Sequence, residues 1–176
     1  MKKWLFASVS IAVIVLAIFM FSDKTKANDT ANLNIGTMGA YEINSDLFTL
    51  HKINKKNMSS YDALLITKDY INDSSQNELR TELNKSKLPL LFVDFEDESA
   101  LAFLTTELPL KDIEMVGKGE IQMVYTLPNG EHATFALFDQ DESSLQKLDK
   151  AINLVQKVSS LEEWEEKSVL EFSQDE

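Results

Sequence analysis

Residues 61–95 read YDALLITKDYINDSSQNELRTELNKSKLPLLFVDF, and this stretch decides the fold class. The short apolar run at each end has the length of a buried strand. Between the two runs, Ser75 and Glu78 have the spacing of an N-terminal capping box. Leu79 and Leu83 then recur at the four-residue interval of a helix. Because two buried strands joined through a helix are typical of a parallel crossover, we expect an α/β domain with a partly parallel sheet.

The flanking segments extend this sheet in both directions. Upstream, residues 33–38 and 47–53 have the composition of two further strands. Downstream of Pro109 the pattern changes to short alternating runs, which predict strands over 112–116, 120–127 and 131–138. Asn129-Gly130 is a typical hairpin turn. A last helix with a broad apolar stripe follows over 143–159. The sequence therefore predicts a small three-layer-like α/β domain whose parallel sheet is extended by an antiparallel β-meander.

Acidic side chains follow two of the predicted strands. The pattern Asp-Glu-Ser-x-Leu occurs at both places, over 97–101 and 141–145. Ligands gather at the carboxyl ends of strands in α/β sheets, and hard cations such as Mg²⁺ and Ca²⁺ prefer oxygen ligands. The candidate metal ligands are Asp94, Glu96, Asp97, Asp139 and Asp141. The interpretation that we prefer is helix capping by Asp and Ser, which explains both copies without a metal. On that interpretation no cofactor is bound.

Composition argues against several classes of function. The chain has no cysteine, which excludes disulfides and thiolate nucleophiles, and no Gly-x-Ser-x-Gly motif accompanies its two histidines, His51 and His132. With 29 acidic and 17 basic residues the net charge is −12, which is unsuited to binding nucleic acid. We therefore expect a protein without catalytic activity and without a nucleic-acid partner.

The N-terminus carries the strongest signal for location. The run from Trp4 to Phe21 is almost wholly apolar, and as a helix it would span about 27 Å, close to the roughly 30 Å of a bilayer's hydrocarbon. It is longer than the apolar core of about 7–15 residues in a cleaved signal peptide. Small residues at Thr25 and Ala27 keep cleavage and secretion open as the alternative. We expect a single-pass anchor that remains attached.

The flanks of the apolar run predict its orientation. Lys2 and Lys3 precede it, and the tail before it is too short to hold a domain outside the cell. The positive-inside rule then places the N-terminus in the cytoplasm and the body outside it. The expected organisation is an anchor over 1–22, a tether over 23–32, an extracytoplasmic α/β domain over 33–159 and an acidic helix or tail over 160–176.

Apolar residues in the acidic C-terminal segment are the candidates for contact with a partner. Leu161, Trp164 and Leu170 lie among glutamates there. Tryptophan is enriched at interface hot spots, and a helix with apolar anchors can occupy a groove on another protein. The alternative is that these side chains pack on their own domain.

Together these features predict a membrane-anchored, extracytoplasmic module that binds another protein of the cell envelope. Its second partner would be the membrane itself, through residues 4–21. The alternative is an extracytoplasmic domain that binds a small ligand or a divalent cation, or an enzyme, with its site at the carboxyl ends of the strands.

Overall fold

A computed structural model of the protein describes residues 32–53, 58–114, 119–127, 130–137 and 141–172, with the backbone alone from residue 159 onward. Residues Ala31–Glu176 form one compact unit. The predicted anchor lies outside the described residues. Within the described ranges, no helix combines the length and the apolar character needed to cross a membrane.

Six strands form a single mixed sheet within the described residues. They are β1 (Leu33–Met38), β2 (Phe48–Lys52), β3 (Ala63–Thr67), β4 (Leu90–Val93), β5 (Ile121–Thr126) and β6 (His132–Leu137). Their order across the sheet is β2-β1-β3-β4-β5-β6. The first four strands are parallel to one another. Strand β5 runs antiparallel to both of its neighbours, β4 and β6, and forms a hairpin with β6. The predicted α/β class, with a parallel sheet extended by antiparallel strands, is confirmed.

Helices cover both faces of this sheet. They are α1 (Lys68–Asn72), α2 (Gln76–Lys85), α3 (Ala100–Thr105) and α4 (Ser144–Phe172). On one face, α1 to α3 pack over a core in which the Phe92 ring meets those of Phe95 and Phe103 edge-on, at centroid distances of 5.2 and 6.4 Å. On the other face, α4 packs Leu148 and Ile152 against the sheet. Burial of apolar side chains on both faces explains why β3 and β4 are apolar at every position except Thr67.

Two local predictions are wrong. Ser75 occupies the N-cap position of α2, but its side chain makes no hydrogen bond to the helix, so there is no capping box. The strand predicted over 112–116 is absent from its described part, because Leu110–Asp112 forms a 3₁₀ turn. The side-chain oxygen of Gln76 accepts a hydrogen bond from the Leu110 amide at 2.9 Å and holds this turn against α2.

The last helix is longer than the predicted 143–159. Its backbone continues as one helix from Ser144 to Phe172. At about 1.5 Å per residue, its 29 residues extend about 43 Å, whereas a strand of six residues extends only about 20 Å. The last residue of α4 in the described core is Val158.

Candidate functional site

The register of the strands brings five chain segments to one edge of the sheet. Val93 at the end of β4 is paired with Ile121 at the start of β5, which is paired with Leu137 at the end of β6. The ends of β1 and β3 lie at the same edge. We call the polar residues that follow or precede these strand ends the carboxyl edge: Tyr41, Lys68, Asp69, Asp94, Glu98, Glu120, Ser144 and Lys147.

The topology makes this edge the expected place for a ligand. From β1 the chain passes to β2 on one side, and from β2 it crosses to β3 on the other side of β1. In open α/β sheets such a reversal of direction leaves a crevice at the carboxyl ends of the strands. Gly39, directly after β1, lies so close to β3 that a Cβ atom there would come within 2.0 Å of the Thr67 hydroxyl.

Asp94 has the most unusual backbone conformation at this edge. With φ at +65°, it is the one described residue other than glycine in the left-handed region. Aspartate tolerates this region better than most residues, yet such conformations concentrate at ligand sites. Burial raises the pKa of the Asp94 carboxyl, as do the negative charges of Glu120 and Asp69, and Lys68 offsets only part of this rise.

Two ion pairs flank Asp94. Lys68 Nζ lies 2.6 Å from a carboxylate oxygen of Glu98, and this hydrogen bond raises the pKa of Lys68. Lys147 Nζ, on α4, donates to Glu120 at 2.7 Å. That bond, assisted by one from the Ser144 hydroxyl, lowers the pKa of Glu120. Each lysine therefore lies in direct contact with a carboxylate.

Tyr41 completes the edge from the connection between β1 and β2. It is half-buried against the α4 side of the core. Burial, followed by the charges of Asp94 and Glu120, raises the pKa of its hydroxyl to about 12. The hydroxyl therefore stays protonated at neutral pH and remains a hydrogen-bond donor close to these carboxylates. Nothing in the sequence around Tyr41 indicates this role, because Asp94 and Glu120 are more than fifty residues away along the chain.

The structure places most of the predicted metal ligands without bringing them together. Asp94, Glu96 and Asp97 lie in the loop after β4, and Asp141 lies just before α4; Asp139 is outside the described residues. In the part of the chain that is described, no three acidic, histidine or cysteine side chains are arranged to hold a metal. The metal site stays a prediction.

The capping interpretation of the repeated Asp-Glu-Ser-x-Leu pattern is supported at both places. The Ser99 hydroxyl accepts a hydrogen bond from the Ala102 amide at 3.2 Å at the start of α3. The Ser143 hydroxyl accepts one from the Gln146 amide at 3.3 Å at the start of α4. The serine of each copy thus satisfies a free amide of the helix that it precedes.

The two histidines lie apart, each beside a polar residue of its own part of the sheet. His51 Nε2 lies 3.1 Å from the Asn34 side-chain oxygen. His132 Nδ1 lies 3.2 Å from the Thr126 hydroxyl. The predicted partner-binding residues Leu161, Trp164 and Leu170 fall within the backbone of α4, where side chains are not described.

A second surface lies between α3 and the β5–β6 hairpin. It is a cavity of about 370 Å³, which we call the β6 groove. One wall is formed by α3 residues, including Leu101, Ala102 and Thr105, and the floor and far wall by Val124 and Thr134. This volume falls within the roughly 300–1,000 Å³ of ordinary binding sites. No pattern in the sequence indicates this groove, because it depends on how far α3 extends over the sheet.

Comparison of the chain with protein-family models, curated proteins and solved structures finds no match. The fold and the two surfaces therefore define its class: an acidic α/β domain with helices on both faces of a mixed six-stranded sheet.

The Glu120–Lys147 pair gives the first prediction. The pKa of Glu120 is lowered in the folded protein from its ordinary 4.5, so the pair stabilises the fold above that pH and less as pH falls. We expect Glu120→Gln to lower the free energy of unfolding by about 0.5–1 kcal/mol at pH 7. The effect is small because solvent partly screens the pair. The difference between the variant and the wild type in urea unfolding should be smaller at pH 3 than at pH 7.

The matched control for this measurement is Glu114→Gln, since Glu114 is exposed. Its stability should follow that of the wild type at both pH values. An equal loss at pH 7 and pH 3 for Glu120→Gln would show that the ion pair is not the cause.

Proposed function

We propose that this chain is a membrane-anchored module that binds another protein of the cell envelope and has no catalytic activity. Residues 4–21 would hold it in the membrane, with the α/β domain outside the cytoplasm. The observation that carries the proposal is the edge strand β6, which is only partly covered and borders the β6 groove. A sheet edge beside a groove is a common docking surface for another polypeptide.

Charge at the other surface is consistent with this proposal. At the carboxyl edge Lys68 pairs with Glu98, and Lys147 pairs with Glu120. Within each ion pair the two charges neutralise each other. The ion pairs also hold together the chain segments around the strand ends. The net charge of −12 also disfavours adhesion to anionic lipid, so the anchor would supply the membrane attachment.

The test uses chemical cross-linking of the full-length protein in native membranes. The control carries residues 1–32 fused to an unrelated soluble domain. We expect at least one membrane or envelope protein to cross-link to the full chain and not to the control. The proposal fails if both give the same products. It also fails, as to location, if the purified native protein begins near Asn28 or fractionates with the cytosol.

A second candidate function is binding of a small ligand at the carboxyl edge, and Asp94 favours it. Besides the strained backbone of Asp94, the Thr37 hydroxyl is buried near the end of β1 and has no hydrogen-bond partner among the described residues. Buried hydroxyls without partners are rare and call for an explanation such as a bound water or ligand. Thermal-shift screening with Mg²⁺, Ca²⁺ and phosphate tests this. A stabilisation of several degrees that Asp94→Asn abolishes would favour this candidate over protein binding.

Asp94→Asn also tests the electrostatics of this edge without any ligand. The pKa of Asp94 is raised in the folded protein, so the ionised carboxylate opposes folding at neutral pH, and its protonation stabilises the fold as pH falls. Asparagine tolerates a positive φ as well as aspartate does. We expect the variant to have the higher Tm at pH 7 and to lose that advantage below about pH 3.8, the ordinary pKa of aspartate. A variant less stable than the wild type at pH 7 would contradict this.

A further inference from the structure

Strand β6 is the least covered strand at the antiparallel end of the sheet. Among the described residues its one strand neighbour is β5. The first five residues of β5 are buried, whereas no residue of β6 is buried and Thr134 is exposed. Unpaired edges of this kind invite pairing with another strand, and proteins commonly protect them with lysine or proline. Residues 132–137, His-Ala-Thr-Phe-Ala-Leu, contain neither.

The β6 groove lies on one face of this edge. Thr134 and Ala136 point to the α3 side of the sheet, since their partners Val124 and Gln122 line the same cavity. A strand added beside β6 would direct every second side chain toward this face. The groove offers those side chains a surface of mixed character, with Leu101 and Ala102 beside the Thr105 and Thr106 hydroxyls.

The charged residues around β6 indicate which kind of partner fits this edge. Strand β6 has no Asp, Glu, Lys or Arg, but exposed Glu131 precedes it and exposed Asp141 follows shortly after it. Antiparallel pairing with a second copy would bring these acidic ends together, between two chains that each carry a charge of −12. An extended peptide with an uncharged centre and basic residues at its ends complements the same surface. The other edge strand, β2, ends in Lys52 and lacks this pattern.

We propose that the β6 edge binds an extended segment of a partner protein as a seventh strand, with an uncharged centre and Lys or Arg at both ends. This inference rests on the proposed function and specifies the chemistry of the partner. Main-chain hydrogen bonds to β6 supply affinity, and the β6 groove selects the alternate side chains.

The test measures amide hydrogen exchange of the full-length protein in detergent. The probe is a pool of short peptides with a randomised Val/Thr/Ile centre and two lysines at each end. A second pool carries glutamates instead. We expect the lysine-ended pool to slow exchange over residues 132–137 at least about tenfold and the glutamate-ended pool to have little effect. No slowing with the lysine-ended pool, slowing over 48–52 instead, or equal slowing by both pools would overturn the inference.

A pair of variants locates the effect. Thr134 and Thr49 are both exposed threonines in edge strands, so lysine substitutions add the same charge at each place. Thr134→Lys should abolish the slowing, and Thr49→Lys should leave it within about twofold. If Thr134→Lys behaves like Thr49→Lys, the β6 edge is not the site. The proposed function is judged separately: a cross-linked partner that persists in Thr134→Lys would remove this inference and leave the proposed function standing.

Discussion

Arg80→Met is expected to lower the free energy of unfolding by about 3–4 kcal/mol, the largest effect that we predict for one residue. Arg80 lies on α2 and is only 8% exposed. Its guanidinium donates to the backbone oxygens of Phe103 at 2.5 Å and Leu108 at 2.8 Å, and to the Asn77 side chain at 2.7 Å. It also lies 4.8 Å from the centre of the Phe103 ring.

The size of this effect follows from what the substitution leaves behind. Phe103 belongs to the last turn of α3, where backbone oxygens have no partner within the helix. Arg80 satisfies that oxygen, and Asn84 satisfies the next one, of Leu104, at 2.9 Å. Methionine fills much of the same space but donates nothing, so two backbone oxygens lose a charged donor. Each such loss costs about 1–3 kcal/mol.

Thermal and urea unfolding check this prediction. For a chain of this size, 3–4 kcal/mol corresponds to a fall in Tm of about 10 °C. Lys85→Met is the matched control, because Lys85 is an exposed cation near the end of the same helix. Its Tm should change by less than about 2 °C. Arg80→Lys should fall between the two, since one ammonium cannot reach all three acceptors. Equal stability of Arg80→Met and Lys85→Met would refute the bridging role of Arg80.

Gln122→Met is expected to lower the free energy of unfolding by about 3 kcal/mol, for a similar reason at the start of α3. Gln122 is buried in β5. Its side-chain nitrogen donates to the backbone oxygens of Phe95 at 2.8 Å and Glu98 at 2.7 Å, and its oxygen accepts from the Ala100 amide at 2.9 Å. One side chain thus holds the whole loop from β4 to α3, which carries the Glu98 partner of Lys68.

Gln146→Met provides the comparison. Gln146 also uses its side-chain oxygen, accepting from the Ser143 amide at 2.9 Å, but it is exposed at the start of α4. Water replaces that bond, so the loss should stay near or below 1 kcal/mol. Gln122→Met should also speed amide exchange over residues 95–100, a local effect that a general loss of packing would not confine there. Equal losses in the two variants would contradict the argument.

The sequence predicted the parts of the fold that depend on neighbours along the chain. The apolar runs before Thr67 and Asp94 gave β3 and β4, because a strand buried on both faces must be apolar throughout. Asn129-Gly130 predicted the hairpin that β5 and β6 form. Ser99 was correctly expected to cap a helix, since capping joins residues only three positions apart.

The local signals failed at two places, and at one of them a distant contact explains the failure. The strand expected over 112–116 gives way to a turn because Gln76, thirty-four residues earlier, binds the Leu110 amide. At Ser75 the spacing to Glu78 was right, but the side chain makes no hydrogen bond to the helix.

The candidate site was predicted only in part. The sequence indicated Asp94 and the polar strand ends, because acidic residues after apolar runs are visible in the chain itself. It predicted neither the positive φ of Asp94 nor the burial of Tyr41 close to Asp94 and Glu120, which raises the pKa of Tyr41 to about 12.

What the sequence by itself determined is which segments are apolar enough to be buried, and hence the α/β class. What only the tertiary structure decided is which polar groups meet: Arg80 with the end of α3, Gln122 with the loop after β4, and β6 with an open groove. The physical reason is that the free energy gained by burying apolar surface is roughly proportional to the buried area. This gain needs no particular partner. A hydrogen bond requires one donor and one acceptor within about 3 Å, and only the folded chain brings such distant atoms together.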